Sequence, residues 1–531
     1  MSTSDFILAL EPRTLLSSVA ASVDGVIGDP AISARLAGRL RASAVSPIQV
    51  DLAYTPTDVP VTARKHVAAS TVWLERSADG VQFVPVAELP AEGGVVSDRG
   101  LASNTQYAYR VRQGASPTPL AVTSVKTARY DAGLLGTFAF PAAVTGATRS
   151  IASYGATSNN ASNDDATAIR NAIAASSAGD EVYIPNGVYH LKSRDIKLKT
   201  GVSIRGQSMS GAVLVAQFSD QGADNPNSQV FRVESGRGNL TFSSFRIEMG
   251  TGQSMQYGIA LGSGSEGVAN AQRVAIRNVN VEGFERYGIA IRNCDNILVE
   301  NCLLRNATAL GGGGQGYGVM IGYPQTFNVW VKGNTIGPVI RHAVIIQYVA
   351  HHNLVENNVA IENTEDAYDL HGEDEYSNEL RYNVAYGGDG YGFGVGNTGS
   401  THDDSGPNNW IHHNEVYDSR GGVNVILGSD RQFIEDNYFH HNFEAGVKVN
   451  NGGGRDLWFL RNRIQFNPVG VRLEDAIDPV LIDNQITNNA GSSLLIAATT
   501  SGYLVWRNDL RANGAAAQIL SPDGVFADNL I

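Results

Sequence analysis

"VWVKGNTI" (329–336), "NLVENNVA" (353–360), "NELRYNVA" (378–385), "QFIEDNYF" (432–439), "LWFLRNRI" (457–464) and "VLIDNQIT" (480–487) are variants of one pattern. Each sets an asparagine between short apolar stretches. That asparagine returns every 21–25 residues through Asn278, Asn301, Asn334, Asn358, Asn383, Asn414, Asn437, Asn462, Asn484, Asn508 and Asn529. A fixed period of this length marks stacked supersecondary units. The unit is too short for two helices, and its Val, Ile, Leu and Phe alternate as in strands. The pattern predicts an all-β chain built on a parallel β-helix of roughly a dozen coils. The asparagines are expected in the left-handed backbone region, with their amides stacked along the axis. Two longer spacings, Asn301 to Asn334 and Asn383 to Asn414, predict protruding loops.

The 531 residues are ample for a long solenoid and a smaller domain, and the low charged fraction of 17% suits inward-facing strands and turns. A formal charge of -13 argues against nucleic acid as a partner, because phosphate binding wants a basic face. No apolar run is long enough to span a membrane. Cys294 and Cys302 read as small buried side chains rather than a disulfide or a metal pair.

Four segments follow along the chain. Residues 1–45 carry "LALEPRTLLSS" and lack the basic start and apolar core of a secretory signal. Leu10, Glu11, Pro12, Arg13, Leu15 and Leu16 resemble the LEPR-XLL motif of exported bacterial surface proteins, which implies a secreted or cell-surface location. Residues 46–128 alternate as strands, with a hairpin turn at Asp79-Gly80. With Tyr107, Tyr109 and Val111 inward, Trp73 as core aromatic and a tyrosine-corner-like stretch from Leu101 to Tyr107, they resemble a fibronectin type III domain. Residues 129–147 read as a linker. Residues 148–531 hold the solenoid, opened by an amphipathic helix with Asn163 as N-cap and Ala168, Ile169, Ala172 and Ile173 inward. The helix would cover the open end of the first coil. Tyr154-Gly155-Ala156, Asp164-Asp165, Ile184-Pro185, Gly187-Val188-Tyr189 and Ile204-Arg205-Gly206 resemble the entry segment of the pectate-lyase superfamily. That resemblance implies a right-handed β-helix and leaves the reaction open.

Strand alternation lets the repeats be aligned and their outward columns read off. One column is Ala290, Met320, Ile345, Asp369, Gly394, Asn424, Lys448, Arg472; the other is Arg292, Gly322, Gln347, His371, Gly396, Ile426, Asn450, Glu474. Coils stack about 4.8 Å apart, so Asp369 to Lys448 spans roughly 15 Å, a trough suited to a linear polymer. Asp369 and His371 on one strand can work as an acid/base pair, and Gly394 and Gly396 leave the floor bare for a ligand. Gln347, Tyr348, Tyr391, Asn397, His402, Asn424 and Asn450 are candidate substrate contacts. His351, His352, His412 and His413 add imidazoles nearby in sequence.

"AYDLHGEDEYSNELRYNVAYGGDGYGF" (367–393) is similar to the catalytic stretch of mannuronan C5-epimerases. The resemblance places Asp369 and His371 on that family's acid/base residues and Asp389-Gly390-Tyr391 on its Asp-Gly-Phe. Asp366 stands where the family has Tyr, Leu370 where it has Pro, and Gly396 where it has a second Asp; Tyr348, Tyr376 or Tyr391 could supply a phenol. Lys448 and Arg472 on consecutive coils resemble the base and carboxylate ligand of chondroitinase-B-like and alginate lyases, which implies calcium beside the uronate. Glu373, Asp374, Asp403 and Asp404 are the candidate ligands, since oxygen-only clusters suit that ion. A uronate's C5 proton becomes acidic only when its carboxylate is neutralised. The expectation is therefore a monomeric polysaccharide lyase acting on an acidic, uronate-containing glycan, with Asp369, His371, Lys448 and Arg472 catalytic. C5-epimerisation is the alternative, as are a glycoside hydrolase pairing Asp369 with Asp389 or Asp403 and a non-catalytic glycan-binding protein.

Overall fold

The structure is a computed structural model. It describes residues 38–46, 49–56, 71–90, 93–99, 101, 105–114, 116, 118–126, 138–219, 228–265, 267–397 and 402–531. The LEPR-like stretch and residues 102–104 of the tyrosine-corner-like segment lie outside the described residues.

Near the N-terminus, strands Gly38–Ser46, Gln49–Pro56 and Gly94–Arg99 form one antiparallel sheet. Val84–Pro90, Thr71–Ser77, Gln106–Arg112 and Ala121–Lys126 form a second, in that spatial order. The expected hairpin is held by Asp79, whose Oδ1 accepts the Val81 and Gln82 N–H groups at 2.8 Å each. Tyr107, Tyr109 and Val111 point inward. Trp73 does not. It lies between buried Val72 and Leu74, so strand alternation turns it outward, 38% exposed. Tyr54 and Tyr109 fill the core instead.

The solenoid is a stack of coils, each contributing one strand to a 13-stranded parallel sheet and others to a 25-stranded sheet that wraps the remaining sides. Its inward Val, Ile, Leu and Phe form one continuous core. Helix Asp165–Ala175 closes the first coil with Ala168, Ile169, Ala172 and Ile173 buried. Its N-cap is Asp164, not Asn163: the Asp164 side chain accepts the Ala166 N–H, while Asn163 turns back to the Gly155 carbonyl.

The periodic asparagines form a ladder from Asn334 to Asn529. In each rung the backbone N–H and Nδ2 both donate to Oδ1 of the asparagine one coil on, as from Asn383 to Asn414 at 2.8 and 3.1 Å. The same Nδ2 also reaches a backbone carbonyl, so no buried polar group is left over. The left-handed conformation falls on the residue before each rung, which includes Tyr382, His413, Arg461 and Arg507. That residue makes the corner, and the buried amide then locks it. Asn278 and Asn301 do adopt the left-handed conformation but stay exposed; Cys302 occupies the ladder position and its N–H donates to Asn334. Cys294 and Cys302 are free and buried, and burial pushes both thiols up to about 12.

The wall of the later coils is apolar on its outer side. Trp410, Phe433, Trp458, Val480, Leu504 and Val525 stand in one register row. The N-terminal sheets cover this row, sharing a cluster with it through residues such as Leu40, Leu52 and Tyr54. Arg41 anchors the contact by donating to the Gly502 carbonyl at 2.8 Å. The end of the linker runs along the same wall: Phe138 packs on Ala275 and Leu298, and Ala139 and Ala142 donate to Asn296 and Asn239. No helix among the described residues is long and apolar enough to cross a membrane.

Candidate active site

The 13-stranded sheet holds the outward columns in the expected register. Ile345 pairs with Asp369, Asp369 with Gly394, Gly394 with Asn424, Asn424 with Lys448, and Lys448 with Arg472. Over the earlier coils this outer face is an apolar cluster of Tyr257, Ala260, Tyr287, Ala290, Tyr317, Met320 and Ile345. At Asp369 it turns polar. A cavity of about 250 Å³ opens there, lined among others by His342, Glu365, Asp366, Asp369, Tyr391 and Asn397 at one end. Arg420, Asn424, Ile426, Lys448 and Asn450 line the other.

Asp369 and His371 point out of the coil but are not solvated, at 4% and 7% exposure. The His371 Nδ1 lies 2.5 Å from Asp369 Oδ2, and His342 Nδ1 lies 3.7 Å from the same oxygen. Asp369 Oδ1 is left facing Gly394. Asp366, three residues earlier, accepts the Tyr391 N–H on Oδ1 at 2.6 Å and leaves its Oδ2 facing the same glycine. A Cβ at Gly394 would lie 2.3 Å from Asp366 Oδ2 and 2.9 Å from Asp369 Oδ1. The two free carboxyl oxygens thus converge on a floor that only glycine leaves open.

Their environments push their proton affinities apart. Burial, and then the charge of Asp369, raise Asp366 to about 6. Burial also works upward on Asp369, but the imidazoles of His371 and His342 outweigh it and hold its carboxyl below the usual range. Burial opposes protonation of His342, and Asp369 and Glu365 overcome it and raise that imidazole.

The remaining candidates divide. Asn397 reaches the His371 ring at 3.1 Å, and Tyr391, Asn424 and Asn450 line the cavity. Lys448 lines it too, in an ion pair with Glu444. Arg472 continues the row one coil further, outside the lining, and donates to Glu474 at 2.8 Å. Gln347 is buried in the second column, and Tyr348 is turned aside to stack on Tyr323 at 4.8 Å. The His402 ring sits 4.7 Å from His371, with Nδ1 2.8 Å from Glu373 Oε1. Glu373, raised by burial to about 7, also accepts the Tyr348 N–H. Asp374 and Asp403 are exposed and Asp404 half-buried. Among the described residues no group of three or more His, Cys, Asp or Glu side chains is arranged to hold a metal ion. Asp389 and Asp403, the expected partners of Asp369 in hydrolysis, are exposed outside the lining, and the carboxyl that lines the cavity beside Asp369 is that of Asp366. His351, His352, His412 and His413 lie elsewhere, His412 against Glu379 at 3.0 Å. Sequence reasoning passed over His342, Glu365, Arg420 and Glu444 as well. The available signal was a third register row, Tyr317 with His342, three residues before the first column.

Residues 257–405 and 395–510 match the family described as right handed beta helix region. The solenoid is a right-handed β-helix. Solved structures with similar chains include the A-module of the Azotobacter vinelandii mannuronan C-5 epimerase AlgE6, at 18% identity and TM-score 0.48, covering 72% of this chain and 98% of that one. The Streptococcus pneumoniae surface protein and adhesin PfbA is 17% identical with TM-score 0.47, over 64% and 97% of the two chains. The catalytic unit of a GH87 alpha-1,3-glucanase from Streptomyces thermodiastaticus is 11% identical with TM-score 0.41, over 98% of each. A search of the curated proteins gives no match. In this β-helix the polar cavity sits on the outer face of one sheet, where a polymer can lie along the axis.

Proposed function

We propose that the chain is a secreted or cell-surface polysaccharide hydrolase that cuts a glycosidic bond over Gly394. The observation that carries this reading is the pair of carboxyl groups, Asp366 and Asp369, aimed at one bare floor with opposite proton affinities. Two such carboxyls, one protonated and one ionised, are what glycoside hydrolysis needs. Asp366 gives its proton to the glycosidic oxygen as the bond to the anomeric carbon breaks. Asp369 Oδ1, with its charge held by His371 and His342, attacks that carbon as the bond breaks, and water deprotonated by Asp366 then releases the sugar from the covalent intermediate and restores both carboxyls. Activity should be bell-shaped in pH. It falls on the alkaline side as Asp366 ionises near 6, and on the acid side only below the ordinary carboxylate range.

Lys448 and Arg420 in the same cavity favour a second reading, β-elimination or C5-epimerisation of a bound uronate. A panel of neutral and acidic polysaccharides separates the two. New reducing ends without ultraviolet-absorbing unsaturated ends mean hydrolysis; unsaturated ends mean elimination. Gly394→Ala should abolish either activity, because its methyl group would collide with both carboxyls. Full activity in that variant would remove the site from consideration.

A further inference from the structure

We propose that the site takes one end of a glycan chain, so that sugars are removed from that end and the chain is not cut internally. This rests on the hydrolase reading and adds a cleavage mode to it. The outward column that carries Asp369 is one register row of the 13-stranded sheet, from Ala260 to Gln518. On the N-terminal side of Asp369 its members Ala290, Met320 and Ile345 are 1% exposed or less, although they face out of the coil. On the C-terminal side Asn424, Lys448 and Arg472 are half-buried, and Gln518 is exposed. The first part of the row is covered and the second is open.

The cover has two layers. Tyr257, Tyr287 and Tyr317 pack with the covered residues in a file, their ring centroids 5.4 Å apart at each step. Over that file lies "TALGGGGQG" (308–316), part of one of the two long spacings expected to protrude. The Tyr317 hydroxyl accepts the Gly314 N–H at 2.8 Å, and Arg286 Nε donates to the Gly314 carbonyl at 2.9 Å. Only glycine lets the backbone come so close: a Cβ at Gly314 would lie 2.7 Å from Arg286 Nη2 and 3.6 Å from the Tyr287 hydroxyl. Arg341 ties the loop to the site, donating to the Gly312 carbonyl and pairing with Glu365 in the cavity lining.

The cavity stops at this cover. His342, on the strand of Ile345, is the earliest residue of its lining. Coils lie about 4.8 Å apart, so the bond over Gly394 is roughly 10 Å from the closed coil at Ile345, room for about one or two sugar residues. In the other direction the row runs on through Asn424, Lys448 and Arg472. A chain cut internally would have to continue through the glycine loop and the tyrosines; a chain end has only to meet them. Loop 308–316 is the specificity-determining segment in this account.

Size-exclusion chromatography of digests by the native chain tests this on polygalacturonate, alginate, xylan, mannan and glucans. The polymer that is cut should give one short product from the first time point, with no shift of the polymer peak. An early shift to a ladder of intermediate sizes overturns the inference and leaves the hydrolase reading standing. Deleting 311–313 should add that ladder; so should Arg286→Ala, which releases the Gly314 carbonyl, where the deletion does not fold. Folded loop variants that still give the short product alone overturn the role of the loop. Binding is read apart from turnover by calorimetry on the full chain carrying Asp366→Asn. Oligosaccharides of the same series are offered with a bulky tag on the reducing end or a cap on the non-reducing end. One modification should abolish binding and the other leave it. Equal binding of both forms, or no binding of any oligosaccharide by folded protein, overturns the inference. If one end is bound but no native digest releases reducing ends, the hydrolase reading fails and the end-binding site stands.

Discussion

Replacing Asp366 by Asn should abolish the proposed hydrolysis and stabilise the protein, and the pH dependence of the second effect is diagnostic. Asp366 ionises near 3.8 when unfolded and near 6 when folded, raised by burial and then by the charge of Asp369. The folded state therefore binds the extra proton between those values, and stability falls as pH rises through that window. A shift of this size corresponds to about 3 kcal/mol, which water reaching the cavity side of the carboxyl trims to ~1–2 kcal/mol. The amide keeps the shape, still accepts the Tyr391 N–H, and carries no charge to be penalised. The denaturation midpoint of Asp366→Asn should thus exceed that of the native chain near about pH 8 and match it below about pH 4. Activity should drop roughly 10²–10⁴-fold, the usual worth of a general acid. An equal midpoint at both pH values, or an unchanged alkaline limb of the activity profile, would refute the assignment of Asp366 as a buried protonated acid.

Three further outcomes follow from the packing. Asn414→Ala removes the acceptor of both Asn383 donors, and two buried unsatisfied groups should lower stability by about 2–5 kcal/mol in denaturant titration. Leu504→Asp places a charge in the apolar row beneath the N-terminal sheets, so limited proteolysis should separate those sheets from the β-helix in the variant and not in the parent. Cys294 and Cys302 should resist thiol reagents in the native protein and react on unfolding, since burial holds both thiols near 12. Rapid labelling of the folded chain would contradict their placement.

The solenoid was legible because its two periods are local. Alternation set which side chains face inward, the asparagine spacing set the coil length, and together they placed Asp369, Gly394, Asn424 and Lys448 in a row that the strand pairing reproduces. What covers an outward column depends on chain far away, and alternation carries no record of that. Placing Asp369 and His371 in outward columns therefore gave no sign of the burial that gives the site its electrostatics. Lys448 and Arg472 read as a pair, yet each is engaged by a carboxylate next to an end of its own strand, Glu444 just before one and Glu474 just after the other. One lateral contact did leave a trace. The outward positions of "QFIEDNYF" and "LWFLRNRI" hold Phe433, Trp458 and Leu460, too apolar for a bare wall, and the N-terminal sheets lie over them.

The apolar cluster before the site belongs to its chemistry. Ile345 is the register neighbour of Asp369 on one side and Gly394 on the other. Tyr317 stacks edge-on against His342 at 5.0 Å, closing the same side for the imidazole. One flank of the carboxyl pair is thus dry, and a dry flank raises the price of charge on whichever carboxyl lacks a cationic partner. Asp369 has His371 and His342 within reach; Asp366 has a backbone N–H. The asymmetry that separates acid from base thus starts from the position of the pair at a boundary. Moved one coil toward the N-terminus, the pair would lie within the apolar cluster. Moved one coil toward the C-terminus, it would lose Ile345 as its register neighbour, face Asn424 in place of bare Gly394, and stand one coil nearer Lys448.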